Sequence, residues 1–434
     1  MPSSSATSAF SRVTALAAVR AVHAAFAWLH GNPKTILDWQ TEACSIPAPP
    51  FGEQARAAWL AERFAEIGLT EIQTDEIGNV LALLPAPHLD PSAAGPIVVL
   101  SAHLDTVFPA ETPLNPVLLR IQDRAGDYDR LQIPGASDNG AGIAGLLALA
   151  AALVRSGLQQ PAPLLFLGNV GEEGVGDLRG VRHFYAHNSF ARRVAAHIVL
   201  DGAGSDGAVT QALGSRRFRA TVTGPGGHSF TDAGTPNPIV ALAEALAGLA
   251  HMRLPLGETG KQPTPRTTLN IGTIHGGSSV NAIPESAAAT IDLRSTSAEE
   301  LLRLEVAVFR AVEDAVTNTN DRANHRAQSP FGRLAFTIEK IGDRPAASLS
   351  ASTALLETLL AVDRHLGLTT SMRLGSTDAN LPLSLGIPAL SLGAGGVGGG
   401  AHTLAEWYSP RDRETGLKRI LLLTLAMIDW AAEQ

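Results

Sequence analysis

The chain has 434 residues, 45% of them hydrophobic, which is enough for a large core and long enough that the core is expected to divide into two domains. Its formal net charge is -8, with 17% charged residues and no basic cluster, which argues against nucleic acid and anionic membrane as partners. A single cysteine, Cys44, excludes an internal disulfide and any Cys-x-x-Cys site, so a bound metal would have to be held by His and carboxylates.

Residues 13–30 are Ala-rich, but Arg20 and His23 interrupt the apolar run and no small-residue cleavage site follows, so a surface helix is expected rather than a signal segment. No stretch reaches the roughly 20 uninterrupted apolar residues of a membrane span, and a soluble, cytoplasmic protein is expected. Helical spacing marks Ala57–Ile67 and an apolar helix over Gly140–Leu153. Asn79–Leu84, Ile97–Ala102, Pro163–Gly168 and His197–Leu200 read as strands; Ile97–Ala102 is nearly all apolar, as a central strand covered on both faces is. This alternation predicts an α/β mixed sheet flanked by helices.

The pattern changes near Gly214. Arg216–Thr223, Thr267–Ile274 and Ala287–Arg294 alternate polar and apolar residues, with helices expected over Pro238–His251 and Ala298–Val316 and a last strand over Leu334–Ile341. Strand, helix, strand, strand, helix, strand is the order of a ferredoxin-like α+β unit. An exposed loop is expected over Asn318–Pro330. From about Ala351 the chain is helical again, with a strand over Ile387–Leu392 and a closing helix over Arg411–Ala432. The first domain thus resumes, and the expected limits are 1–213 and 342–434 for one domain and 214–341 for the insertion.

Candidate chemistry gathers where apolar strand-like runs end, the place where an α/β sheet presents groups to a crevice. His103 and Asp105 share a face two residues apart; a carboxylate behind a ligating His fixes its tautomer, although His-x-Asp alone reads equally as a polar turn. Asp138 precedes the helix that opens at Gly140 and suits either an N-cap or a bridging ligand. Glu172 and Glu173 are adjacent carboxylates after an apolar strand and repel each other unless a cation is near. In a metal site one serves as ligand and the other as general base. Asp201 ends the run Ile198–Leu200, and His402 follows the Gly-rich stretch Gly393–Gly400, which lacks a phosphate-loop signature. His228 lies in Gly224-Pro-Gly-Gly-His-Ser229 of the insertion. Arg294 ends a strand and is placed either to grip a carboxylate or to make a salt bridge. The pair Arg216-Arg217 is a weaker candidate for acidic substrates, equally a solvated strand edge. The remaining histidines read as structural.

Together these segments resemble the M20 metallopeptidase family of co-catalytic zinc exopeptidases and deacylases, from about residue 35 to the end. The motifs are Ser101-Ala-His-Leu-Asp-Thr-Val107, Gly135-Ala-Ser-Asp-Asn-Gly-Ala-Gly142, Gly171-Glu-Glu-Gly174, Gly226-Gly-His-Ser229, Val280-Asn-Ala-Ile-Pro284 and Asp292-Leu-Arg-Ser295. The resemblance implies a zinc-exopeptidase-like fold with an inserted lid or dimerisation domain, and two divalent ions, zinc first, with cobalt and manganese suited to the same donors. It implies His103 and Asp201 on one ion, Glu173 and His402 on the other, Asp138 between them, Glu172 as general base and Asp105 behind His103. It further implies a cis peptide after Asp138, His228 as an oxyanion donor reaching from the partner of a homodimer, and Arg294 and Asn281 as substrate-binding positions. Asn139 departs from the second Asp that many members carry. Asp at position 201 favours the peptidase side of the family. The implied reaction is hydrolysis of an amide bond in a small peptide with a free carboxylate, with deacylation of N-acyl amino acids as the alternative and a non-catalytic peptide-binding relative behind both.

Overall fold

In the computed structural model of the protein, the described residues are 4–87, 95–123, 126–255, 257, 265–326 and 332–434. They form two compact units, one made of the chain up to Ala212 and from Ser348 onward, the other of Leu213–Ala347.

The first unit is built on a mixed sheet whose strands follow the order Thr70–Thr74, Val80–Leu84, Leu164–Asn169, Ile97–His103, Val194–Leu200, Ala389–Leu392, Gly207–Ala212. The four strands from Leu164–Asn169 to Ala389–Leu392 run parallel. All residues of Ile97–His103 are buried, because helices cover both faces of a parallel sheet. One cover is the helix Gly140–Ser156, whose residues from Gly140 to Leu153 are all buried, and another is the closing helix Arg413–Ala432. The Ala-rich N-terminal stretch forms two helices, Ser4–Ala17 and Arg20–Gly31, rather than one. They bury Val13, Val22, Ala25 and Leu29, and Arg12 pairs with Glu433 at 2.5 Å. No single helix among the described residues is long and apolar enough to cross a membrane.

A second sheet in this unit escaped the sequence reading. The hairpin Val117–Asp123 with Gly126–Gln132 is extended by Trp407–Ser409 and then Val397–Gly399. Its members are short or carry polar residues on both faces, so alternation does not expose them. Val397–Gly399 lies inside the Gly-rich stretch Gly393–Gly400, whose composition gives no strand signal.

The inserted unit is a four-stranded antiparallel sheet in the order Thr267–Gly276, Ser286–Ser295, Gly214–Thr223, Ala335–Arg344, with the helices Pro238–Ala250 and Ala298–Arg326 packed on it. Phe218, Ala220, Val222, Ile291, Leu293, Leu304 and Val308 form its core. Gly214–Thr223 is an inner strand, not an edge, and Arg216 and Arg217 are paired there with Glu305, Asp343 and Asp292. The second helix runs through the expected loop as far as Arg326. Asn320 is buried on it, and its side-chain amide pairs with both backbone groups of Leu334, so a polar residue typical of loops serves the helix instead. Residues 327–330 of that expected loop, and His88, lie outside the described residues.

Candidate metal centre

The parallel strands deliver their C-terminal ends to one edge of the sheet. His103 is the last residue of Ile97–His103; Glu172 and Glu173 follow Leu164–Asn169; Asp201 follows Val194–Leu200. Asp138 arrives on the turn after Gly126–Gln132, and His402 on the loop between Val397–Gly399 and Trp407–Ser409. Two groups that could hold a cation result: His103, Asp138 and Asp201, and Asp138, Glu173 and His402, the ligand atoms of each lying within 4.8 Å of one another.

Asp138 belongs to both groups, one oxygen to each. Its Oδ1 lies 3.1 Å from His103 Nε2, and its Oδ2 lies 3.1 Å from His402 Nε2. Asp201 Oδ1 stands 3.8 Å from His103 Nε2, and Glu173 Oε1 stands 3.0 Å from His402 Nε2. Four ligands about 2.0–2.2 Å from a tetrahedral zinc lie about 3.3–3.6 Å from each other, and the spacings here, from 3.0 to 3.8 Å, bracket that separation, so small side-chain shifts would seat them around an ion. The first group is the more enclosed, with His103 buried; the centre opens on the side of His402, whose side chain is 55% exposed.

The hydrogen bonding tests whether a cation fits. His103 Nδ1 lies 3.0 Å from the backbone carbonyl of Asp105, which only accepts, so the proton of the neutral ring belongs on Nδ1. Its Nε2 lone pair then faces the carboxylates of Asp138 and Asp201. Lone pairs converging in a buried place need a positive charge, and a divalent ion supplies it. The titration of these groups tells the same story. Burial disfavours the charged His103 ring, but Asp105, Asp138 and Asp201 outweigh it and raise its pKa well above the usual value. The hydrogen bond to Asp138 is the main cause that lifts His402 to about 9. Burial, then Asp138, raises Glu173. The donor set, all imidazole nitrogen and carboxylate oxygen, suits zinc, cobalt or manganese.

Asp105 is fully buried and points its oxygens at backbone: Oδ1 accepts from Glu172 N at 2.9 Å and Oδ2 from Glu173 N at 2.7 Å. It thereby ties the strand end bearing His103 to the loop bearing both glutamates. Burial opposes its charge, yet the His103 ring and those two amides lower its pKa. Glu172 is itself only 5% exposed.

Asn139 shows what an amide does where a carboxylate would fail. Its Nδ2 donates to Leu200 O at 2.9 Å, and its Oδ1 accepts from Gly142 N and Gly202 N. It caps the helix Gly140–Ser156 and clasps the strand end that presents Asp201; an ionised Asp would set oxygen against the Leu200 carbonyl. The helix must start close to that strand, and a Cβ at Gly142 would stand 2.6 Å from Leu200 O. The Asp138–Asn139 peptide is cis.

The sequence reading passed over Glu406, which is fully buried and accepts backbone N–H groups from the loop that carries Asp138. Its only signal in the sequence was its place four residues after His402.

His228, Asn281 and Arg294 lie in the inserted unit. Gly227-His228 pairs antiparallel with Ala282-Ile283, and Ser229 N donates to Asn281 O at 2.9 Å, so His228 and Asn281 share one exposed loop pair. His228 Nδ1 accepts from Phe230 N and Thr231 N, which leaves its proton on Nε2. Arg294 Nε donates to Asp292 Oδ2 at 2.8 Å, and its side chain is 41% exposed.

Known proteins resemble this chain in sequence and in fold. The description "Peptidase dimerisation domain" of the M20 family matches residues 211–320, and "Peptidase family M28" matches residues 79–233, which stops short of most of the insertion. A probable carboxypeptidase of Neosartorya fischeri is 28% identical over 307 residues, 67% of this chain and 68% of its own. A tripeptidase structure from Staphylococcus aureus superposes with a TM-score of 0.65 at 22% identity, covering 93% of this chain and 99% of that one. The Bacillus subtilis YXEP protein, described as a dinuclear metal binding peptidase from the M20 family, gives 0.59 at 16% identity, covering 92% and 98%. With a peptidase-family match over part of the catalytic unit, a match to the M20 peptidase dimerisation domain over most of the insertion and candidate metal ligands at the strand ends, the chain is a hydrolase similar to the M20 and M28 metallopeptidases.

Proposed function

We propose that the protein is a dinuclear metal-dependent exopeptidase that hydrolyses an amide bond in small peptides bearing a free carboxylate. The observation that carries this reading is the division of Asp138, one oxygen to each of two His-carboxylate groups. His103 and Asp201 would hold one ion, Glu173 and His402 the other, and Asp138 both. Bound divalent ions, zinc first, would supply a water of lowered pKa and polarise the scissile carbonyl. Glu172, next to a ligand and with its amide held by Asp105, takes the proton of the attacking water and hands it to the leaving amine. Asp105 keeps His103 in the tautomer that offers Nε2. His228 contributes its Nε2–H to the developing oxyanion, delivered from the partner of a homodimer built on the inserted unit. That role is supported by the tautomer its Nδ1 contacts impose, and by Phe230 and Val280, apolar and highly exposed beside it. Arg294 and Asn281 bind the substrate carboxylate.

The test is turnover of a panel of di- and tripeptides and N-acyl amino acids by the zinc-loaded protein, with Glu172→Ala alongside. Cleavage of free-amine peptides by the wild type alone is the expected result, and the products identify the end that is read. Cleavage restricted to N-acylated substrates would move the protein to the deacylases. No turnover of either class would sink the catalytic reading.

A further inference from the structure

The loop that presents Asp138, Ile133-Pro-Gly-Ala-Ser-Asp138, has no regular secondary structure of its own, so its backbone groups need partners from elsewhere. Its carbonyls are met from the helix Pro33–Cys44: Gln40 Nε2 donates to Ala136 O at 2.6 Å and Cys44 Sγ to Gly135 O at 3.3 Å. Three of its amides are met by one side chain. Glu406 Oε1 accepts from Ser137 N at 2.8 Å and Asp138 N at 2.7 Å, while Oε2 accepts from Gly135 N at 2.8 Å. The backbone carbonyl of Glu406 also accepts from Ile133 N at 3.2 Å. A fully buried carboxylate engaged by three N–H groups fixes the course of the loop, because any shift strands either the charge or the donors.

Glu406 also belongs to the loop that carries His402. Glu406 N donates to Thr403 O, and Thr403 N to Gly400 O, so this loop is folded tightly between its two strands. His402 itself has a positive φ of 65°, which such closure helps to hold. One residue therefore ties the carboxylate shared by both candidate ion sites to the imidazole of the second.

We propose that Glu406 is a positioning residue that sets Asp138 and His402 in register for a pair of ions. The inference rests on the dinuclear reading above and adds to it a residue that touches neither ion nor substrate. Since Asp138 serves both groups, a disturbance that reaches it should weaken both ion sites together, whereas one confined to the His402 loop should weaken only the second. Glu406→Gln is the sharpest variant. It keeps the shape and one acceptor oxygen, but turns an NH2 group toward the amide of Gly135.

The experiment is titration of the chelator-stripped full-length protein with Co2+, followed by calorimetry and by visible absorption, for the wild type, Glu406→Gln and Glu406→Ala, with thermal melts of each. The expected result is two ions in the wild type and a loss of affinity of about 10–100-fold at both sites in Glu406→Gln. Its kcat at saturating metal should fall while KM holds. Wild-type affinity and absorption in a variant that only melts earlier would reduce Glu406 to a stabilising role and overturn the proposal. Weakening of a single site would overturn the coupling through Asp138. A wild type that takes up no ion sinks the dinuclear reading itself, and that is seen in the wild-type titration alone. If Glu406→Ala fails to fold, Glu406→Gln still decides.

Discussion

In the catalytic unit, His103 is 1% exposed, with Nδ1 on the Asp105 carbonyl and Nε2 facing Asp138; in the inserted unit, His228 is exposed and, among the described residues, only its Nδ1 is engaged, by its own loop. Asp105 and Glu406 give both carboxylate oxygens to backbone amides of neighbouring loops, whereas Asn281 and Arg294 are partnered within two residues along the chain, by Ser279 and Asp292. The first arrangement holds groups in place before any ligand arrives, which suits a centre of converging charge. The second leaves groups locally oriented but open, which suits residues that meet something supplied from outside. The contrast makes a demand: substitutions in the catalytic unit should change metal binding or chemistry together with stability, and those in the inserted unit should change kinetics alone.

The largest effect is expected at Glu172. Glu172→Gln preserves size and removes the base, so kcat should fall about 10²–10⁴-fold with metal content unchanged. Retained activity would remove the residue from the proton path. Next comes His228→Ala, expected to lower kcat by about 10²–10³-fold, as the loss of one oxyanion donor does, with the melting temperature unmoved because the side chain is exposed. Adding His228→Ala protein to Glu172→Gln protein sharpens the point. If the histidine acts across a dimer, mixed dimers regain part of the activity; if it acts within its own chain, they do not.

A smaller effect, on stability, isolates the rigidity of the catalytic unit. His197 is fully buried between Tyr185 OH and Ser101 Oγ, each at 2.8 Å, and burial pushes its pKa down to about 3. In the unfolded chain the ring titrates near 6.5. The folded state thus refuses a proton that the unfolded state accepts. The contribution is complete above about pH 6.5 and is lost as pH falls from there toward about 3, by about 1.4 kcal/mol per pH unit. Urea midpoints at pH 7.5 and 5.5 measure it, and the slope between them should shrink in His197→Phe. An unchanged slope would place the acid sensitivity elsewhere.

These residues also mark what the sequence could and could not reveal. The strands Ile97–His103 and Leu164–Asn169 were legible because burial on both faces leaves an unbroken apolar run, and the inserted sheet because alternation at period two survives in Gly214–Thr223 and Ser286–Ser295. The strands Val397–Gly399 and Trp407–Ser409 were not, since three-residue strands rich in glycine carry no period. Ligand-type residues at strand ends announce themselves by chemistry. Glu406 does not, because its work is done on backbone amides, which have no letter in the sequence, and Asn320 misled for the same reason.

The smallest predicted effect bears on Arg294, where the two regions differ most. Asp292 divides its oxygens between Arg294 Nε at 2.8 Å and Arg217 Nε at 3.3 Å. Both contacts use Nε, so the terminal nitrogens of Arg294, on a side chain 41% exposed, can still engage a carboxylate in a fork. Arg294→Ala should then raise KM for peptides about 3–10-fold, in line with the modest worth of a partly exposed charge-assisted contact, and leave kcat and the melting temperature in place. Arg294→Lys should recover little of this, since a point charge cannot reproduce the fork. Substrates amidated at the C-terminus supply the control. They should bind wild type and Arg294→Ala alike, and a KM difference that persists with them would assign Arg294 to the shape of the strand end rather than to recognition of the carboxylate.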